Sequence, residues 1–118
     1  MVVLGFILFS VLFFINQVRS IYEMSRNIIL LNSSNFLQVI QSDDLWIIEF
    51  YDPICPTTIT FAEEFEVIGN KLMGIVRLGA INRSDPLTQR YEIKEFPTLL
   101  IFERSKTIQQ TIYSGSKD

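Results

Sequence analysis

The chain has 118 residues, a formal charge of −3 and a hydrophobic fraction of 48%. That is the length of one domain, and an acidic chain without a basic cluster argues against nucleic acid as a partner. It contains no histidine, which removes histidine-based hydrolysis and His-ligated metal sites, and it carries no phosphate-cradling glycine loop. No cofactor or metal is therefore expected.

At the amino end, Val2 to Ile15 is apolar except for Gly5 and Ser10. Asn16 and Gln17 end the run, and Val18-Arg19-Ser20 places modest side chains at −3 and −1 of a cleavage point. This pattern predicts a secretory signal peptide over residues 1–20 and a domain over 21–118. The run falls short of the about 20 residues that a membrane span needs. No Lys or Arg precedes it, so an uncleaved anchor is the alternative. A cleaved chain would reach the endoplasmic reticulum lumen or be secreted, with no membrane contact once the leader is gone. That compartment is oxidising. The one cysteine, Cys55, cannot close an internal disulfide, so it is free, capped or joined to another molecule. Two glycosylation triplets, Asn32-Ser33-Ser34 and Asn82-Arg83-Ser84, fit the same compartment.

In chain order, Ile28 to Leu31 reads as a first strand. Ser33 or Ser34 is placed to cap a helix over 35–41 with Phe36, Val39 and Ile40 inward. Trp46 to Tyr51 is apolar on both faces apart from Glu49, as expected of a central strand covered by helices on both sides. After a turn at Asp52-Pro53-Ile54, the period changes. Phe61, Phe65, Ile68 and Leu72 form one stripe of a helix that runs to Met73. Gly74 breaks the chain before a strand over 75–81. Asp85-Pro86 caps a short helix ending near Tyr91. Thr98 to Phe102 and residues 108–113 form a hairpin. Strands alternating with helices predict an α/β domain, a central mixed sheet flanked by helices.

Cys55 stands where the long helix begins, followed by Pro56 at a position that needs no N–H. Unpaired backbone N–H groups and the positive end of the helix dipole stabilise a thiolate there. The alternative is a small side chain that fills the core. Glu49 is the odd residue of the central strand; desolvation should raise its pKa. It either handles protons or is held by a nearby hydroxyl or water.

The segment Glu49-Phe50-Tyr51-Asp52-Pro53-Ile54-Cys55 resembles the active-site approach of the protein disulfide isomerase family, Glu-Phe-Tyr-Ala-Pro-Trp-Cys-Gly-His-Cys. It is similar to the first thioredoxin domain of the family's A-type, member-six branch. The likeness extends through Asn35-Phe36, residues 41–46, Gly74-Ile75-Val76, Gly79-Ala80, Tyr91, Phe96-Pro97-Thr98, Ile101-Phe102 and Tyr113. The resemblance implies a thioredoxin-like fold with Cys55 as nucleophile and Glu49 as proton relay beneath it. It implies a cis peptide before Pro97 and a client-binding rim of Ile54, Phe96, Pro97 and Thr98, with Tyr91 a further candidate. Lys117 falls where the family carries a mobile Arg. The chain departs from the pattern at the site itself. Thr58 occupies the second cysteine position, and Pro56 and Thr57 stand for Gly and His. Glu92 replaces a Gly and Glu63 a helix-kinking Pro. The family's last helix would begin where this chain stops, so the resemblance implies a C-terminally truncated domain with one sheet face open.

A hydroxyl cannot attack a disulfide, so the second step of two-cysteine chemistry is missing. The sequence thus predicts a monothiol domain with at most weak exchange and isomerisation. Its partners would be unfolded or disulfide-bearing polypeptides, and glutathione through a mixed disulfide. The alternative is a redox-inactive module that binds unfolded chains. Secretory expression should yield a chain beginning at Ile21; the mass of the mature protein checks this, and a retained apolar segment in the membrane fraction would favour the anchor.

Overall fold

The computed structural model describes Tyr22, residues 25–104 and, as backbone, residues 109–114. The expected leader with its cleavage point, Lys117 and the expected missing helix lie outside the described residues. Along the chain run β1 (Ile28–Leu31), α1 (Leu37–Gln41), β2 (Trp46–Tyr51), α2 (Pro56–Lys71), β3 (Arg77–Asn82), α3 (Leu87–Arg90), β4 (Thr98–Phe102) and β5 (Gln109–Ser114). The strands form one sheet in the order β1-β3-β2-β4-β5. Strand β3 is parallel to β1 and β2; β4 is antiparallel to β2 and β5. This is the expected α/β architecture with a mixed central sheet.

The two-residue alternation of β2 sorts the core into two layers. Trp46, Ile48 and Phe50 point into one layer with Leu31, Phe36, Val39, Ile81, Leu87, Leu100 and Phe102, under α1 and α3. Ile47 and Tyr51 point into the other, with Tyr22, Ile28, Phe65, Leu78, Ala80 and Leu99, under α2. Glu49, between them in the alternation, therefore faces the α2 layer. Burying each large apolar side chain is worth about 1.5–3 kcal/mol, so both faces of β2 contribute. Tyr91 belongs to the first layer, with its ring 5.9 Å from Phe36, 6.1 Å from Phe50 and 5.6 Å from Phe102. Its ring packs against the core while the residue stays partly exposed.

Several boundaries differ from those read in the sequence. Neither Ser33 nor Ser34 caps α1. Asn32 Oδ1 accepts the Ser34 and Asn35 N–H groups, while Ser33 Oγ donates to Asp85. Helix α1 is only five residues long, and Ile40 is 39% exposed instead of inward. Strand β3 begins at Arg77 because Ile75 and Val76 are still held by the turn, their N–H groups donating to Leu72 O. Gly74 has φ +83°, a left-handed conformation that glycine adopts without a Cβ clash. Helix α2 packs close through Gly69, where a Cβ would stand 3.0 Å from Asn27 Cβ and 3.1 Å from Leu78 Cδ1. It runs unbroken through Glu63. Among the described residues no helix is long and apolar enough to cross a membrane.

Glu92 has φ +56°. The resemblance puts glycine at this position, and the backbone keeps the conformation that favours it. A side chain there costs roughly 1–2 kcal/mol, partly offset by the chain entropy that glycine loses on folding. Glu92→Gly should therefore raise stability by about 1 kcal/mol, measured as a shift in the urea midpoint with an unchanged slope.

Candidate active site

Strand β2 ends at Tyr51 and the chain turns before α2. The Cys55 N–H donates to Asp52 O at 3.1 Å, closing the turn, and the Ile54 N–H donates to Asp52 Oδ1 at 3.2 Å. Asp52 thus shapes the turn with its own side chain, as turn aspartates do. Cys55 is the N-cap of α2 with an extended backbone, and its carbonyl accepts the Ile59 N–H at 3.1 Å as the first helical bond. Pro56 takes the first helical position. The thiol is half-buried, whereas Ile54 beside it is 75% exposed.

Thr58 points the other way. It is fully buried, and its Oγ1 accepts the Asp52 N–H at 3.3 Å. That bond ties the first turn of α2 back to the end of β2. The second cysteine position is therefore occupied by a hydroxyl that serves the local fold. An O–H has no means of forming a bond to a disulfide sulfur that releases a thiolate.

The register Phe50↔Thr98 brings the start of β4 to the end of β2 from which Cys55 departs. The Phe96–Pro97 peptide is cis. Pro97 and Thr98 are buried, Thr98 Oγ1 donates to Glu95 O at 2.6 Å, and Phe96 is half-buried. Of the predicted rim, the structure gathers Phe96, Pro97 and Thr98 in one loop. Ile54 projects from the Cys55 turn.

Two residues in the site went unremarked in the sequence. Arg83 Nη1 donates to Asp52 Oδ2 at 2.8 Å, and its guanidinium lies 5.2 Å from the centre of the Phe96 ring. Its side chain is 61% exposed, so the ion pair contributes little to stability. It does bridge the Cys55 turn and the cis-proline loop, and it sets a positive charge against the Asp52 carboxylate that would otherwise stand alone near the thiol. The parallel pairing Tyr51↔Asn82 puts the residues after β2 and β3 side by side. Crevices at strand carboxyl ends are where α/β sites form, and that rule could have found Arg83.

The second is Tyr22. It precedes the first strand, where no periodicity marks it, yet it is 2% exposed. Its hydroxyl donates to Glu49 Oε1, and its ring packs edge-on to Tyr51 and Phe65 at 5.5 and 6.2 Å. Glu49 is fully buried, and Oε2 has no hydrogen-bond partner among the described residues. Burial pushes the Glu49 carboxyl from its ordinary 4.5 up to about 7, against the Tyr22 hydrogen bond, which favours the ion. Burial, with Glu49 next in weight, raises the Tyr22 phenol above its ordinary range. Glu49 is thus a carboxyl bonded by a nearby hydroxyl, with a proton affinity close to neutrality. Among the described residues no three metal-ligating side chains cluster.

The thioredoxin family profile matches residues 27–118, and the chain belongs to that family. Within it, this is a thioredoxin-like domain of the protein disulfide isomerase kind. The chain is 35% identical to mouse protein disulfide-isomerase A6 over 116 residues, covering 96% of this chain and 26% of that protein. It is 30% identical to the Drosophila melanogaster protein disulfide-isomerase A6 homolog over 108 residues, covering 89% and 25%. Among solved structures, the J-Trx1 fragment of ERdj5 superposes with a TM-score of 0.72 at 28% identity, covering 81% of this chain and 48% of that one. The chain thus spans about a quarter of the length of the curated relatives it matches.

The raised Glu49 carboxyl fixes a pH dependence. Below 4.5 it is neutral in the folded and the unfolded chain alike. Between 4.5 and about 7 only the unfolded chain ionises, so stability falls as pH rises and levels off once the folded carboxyl has also ionised. The total is about 3 kcal/mol. Glu49→Gln keeps the shape and the acceptor for Tyr22 but cannot ionise. It should flatten this slope and be the more stable variant at pH 8, as urea unfolding at pH 5 and pH 8 would report.

Proposed function

We propose that this chain is a secretory-pathway, protein disulfide isomerase-like domain whose monothiol site, Cys55 alone, gives at most weak thiol–disulfide exchange and isomerisation. The observation that carries the reading is the division of the site: a half-exposed thiol at the helix N-cap, and a fully buried Thr58 at the resolving position. In the proposed reaction the Cys55 thiolate attacks one sulfur of a polypeptide disulfide. A Cys55–polypeptide mixed disulfide forms and the second sulfur leaves as a thiolate. A different thiolate of the same polypeptide then attacks the polypeptide's sulfur of the mixed disulfide, forms a new disulfide and expels Cys55 as a thiolate; return of the first thiolate only restores the original bond. The number of disulfides is unchanged, so this is isomerisation without net oxidation or reduction. Glutathione exchanges by the same steps.

Each remaining site residue has a role in this proposal. Glu49 exchanges a proton near neutral pH. Ile54 and Phe96 offer the accessible side chains of the face against which an extended client segment lies, Pro97 and Thr98 are buried and contribute backbone only, and Arg83 keeps the two loops of that face together. The compartment is the endoplasmic reticulum lumen or the exterior, reached through the leader. A second reading is a redox-inactive module for unfolded chains. The apolar exposure of Ile54 and Ile59 around the thiol favours it, and Cys55 would then be incidental.

Thr58→Cys supplies the missing resolving sulfur at a buried position one helical turn from Cys55. It should convert a protein without dithiothreitol-driven insulin reductase activity into one with measurable turnover, and Cys55→Ser in that background should abolish it. Wild-type Cys55 should still exchange with a scrambled disulfide substrate. Loss of no client binding in Cys55→Ser, with no exchange in the wild type, would favour the module.

A further inference from the structure

Glu49 lies on the α2 face of the sheet with little around it to support a charge. Its opposite numbers on the neighbouring strands are Ala80 of β3 and Leu99 of β4, neither of which has a side-chain donor. On α2, Phe65 is apolar, and the Thr58 hydroxyl receives the Asp52 N–H. Oε2 has no partner among the described residues. Among the described residues the side-chain donor to this carboxyl is Tyr22, through Oε1. The ring of Tyr22 is wedged between Tyr51 and Phe65 with both contacts edge-on, at 85° and 70°, so its hydroxyl is aimed and not free to swing.

We propose that Tyr22 is a positioning residue for Glu49: its hydroxyl supplies the hydrogen bond that allows this buried carboxyl to carry a charge and so to exchange a proton. The inference rests on the reading of Glu49 as the proton-exchanging group of the site. A buried carboxylate without a donor is disfavoured by desolvation, and a donor offsets that penalty in proportion to how well it is aligned. The charged and titratable groups around the pair are few. Tyr51 neighbours it on β2, and Glu66 on α2 acts on Tyr22; both, like Glu49, discourage ionisation of the Tyr22 phenol. Tyr22 therefore remains a donor at any pH where the fold persists. Without it, burial acts on Glu49 unopposed, and the carboxyl holds its proton to higher pH. The segment that follows the expected leader would then be part of the site and not merely an approach to it.

Infrared difference spectroscopy across pH reads the protonated carboxyl directly, using the chain expressed in a secretory host. The Glu49 band is identified by its loss in Glu49→Gln. In the wild type it should disappear with a midpoint near pH 7. Tyr22→Phe keeps the ring and removes the donor, and should move the midpoint up by about half a unit or more. Installing 3-fluorotyrosine at position 22, a stronger donor of nearly the same shape, should move it down and does not depend on the phenylalanine variant folding. An unchanged or lowered midpoint in Tyr22→Phe, or an unchanged one with fluorotyrosine, overturns the proposal. The Cys55 alkylation rate separates the underlying reading. If the bands shift as expected while alkylation is the same in wild type and Glu49→Gln, Tyr22 positions Glu49, and only the link from Glu49 to the thiol is lost.

Discussion

Everything in this domain depends on β2 being covered on both faces. A strand in that position has no solvent side, so each of its residues must satisfy an apolar layer. Five of the six do so with large side chains, from Trp46 to Tyr51. The sixth, Glu49, is a carboxyl in a place built for hydrocarbon. The rest of the site follows from how the surrounding structure accommodates that group and from what leaves the end of the strand. Tyr22 comes in from outside the regular elements to bond it, and its ring fills the layer that the carboxyl would leave poorly packed.

The same strand end carries the thiol. Asp52 closes the turn with its backbone carbonyl and shapes it with its side-chain carboxyl, Thr58 accepts the Asp52 N–H, and together they fix where α2 starts relative to β2. Cys55 is thereby held as an N-cap and not drawn into the helix. The Phe50↔Thr98 pairing then sets the cis-proline loop against it, and Arg83 links turn to loop through Asp52 and Phe96. The chemistry this favours is asymmetric. One sulfur can form a mixed disulfide, and the group behind it is a hydroxyl engaged in holding the turn. In the proposed function, exchange is completed by a thiol from the other molecule.

The elements were legible where local pattern and tertiary need coincide. The limits of β1, β2 and β4 agree with the sequence because runs such as Trp46 to Tyr51 and Thr98 to Phe102 are apolar over their whole length and bounded by turn residues. The start of α3 was legible to within a residue: Asp85 Oδ1 accepts the Leu87 N–H, but the helix begins at Leu87 with Pro86, not Asp85, at the cap position. The inward assignment of Ile40 was not. Helix α1 is too short to present a full stripe, and β1 and α3 determine which side it buries. Cys55 could be placed from local pattern because a strand, a tight turn and a helix start are contiguous in sequence, whereas the role of the Thr58 position came from the family resemblance.

What the sequence alone determined is therefore local: the order of strands and helices, the thiol at a helix start, and the absence of a second sulfur to resolve it. What only the tertiary structure decided is which distant groups meet. Tyr22 reaches Glu49 across 27 residues, and Arg83 reaches Asp52 across 31. Neither pairing has a period or a motif. Both arise because parallel pairing aligns the ends of β2 and β3, and because a buried carboxyl is stabilised by whichever donor the folded chain delivers to it.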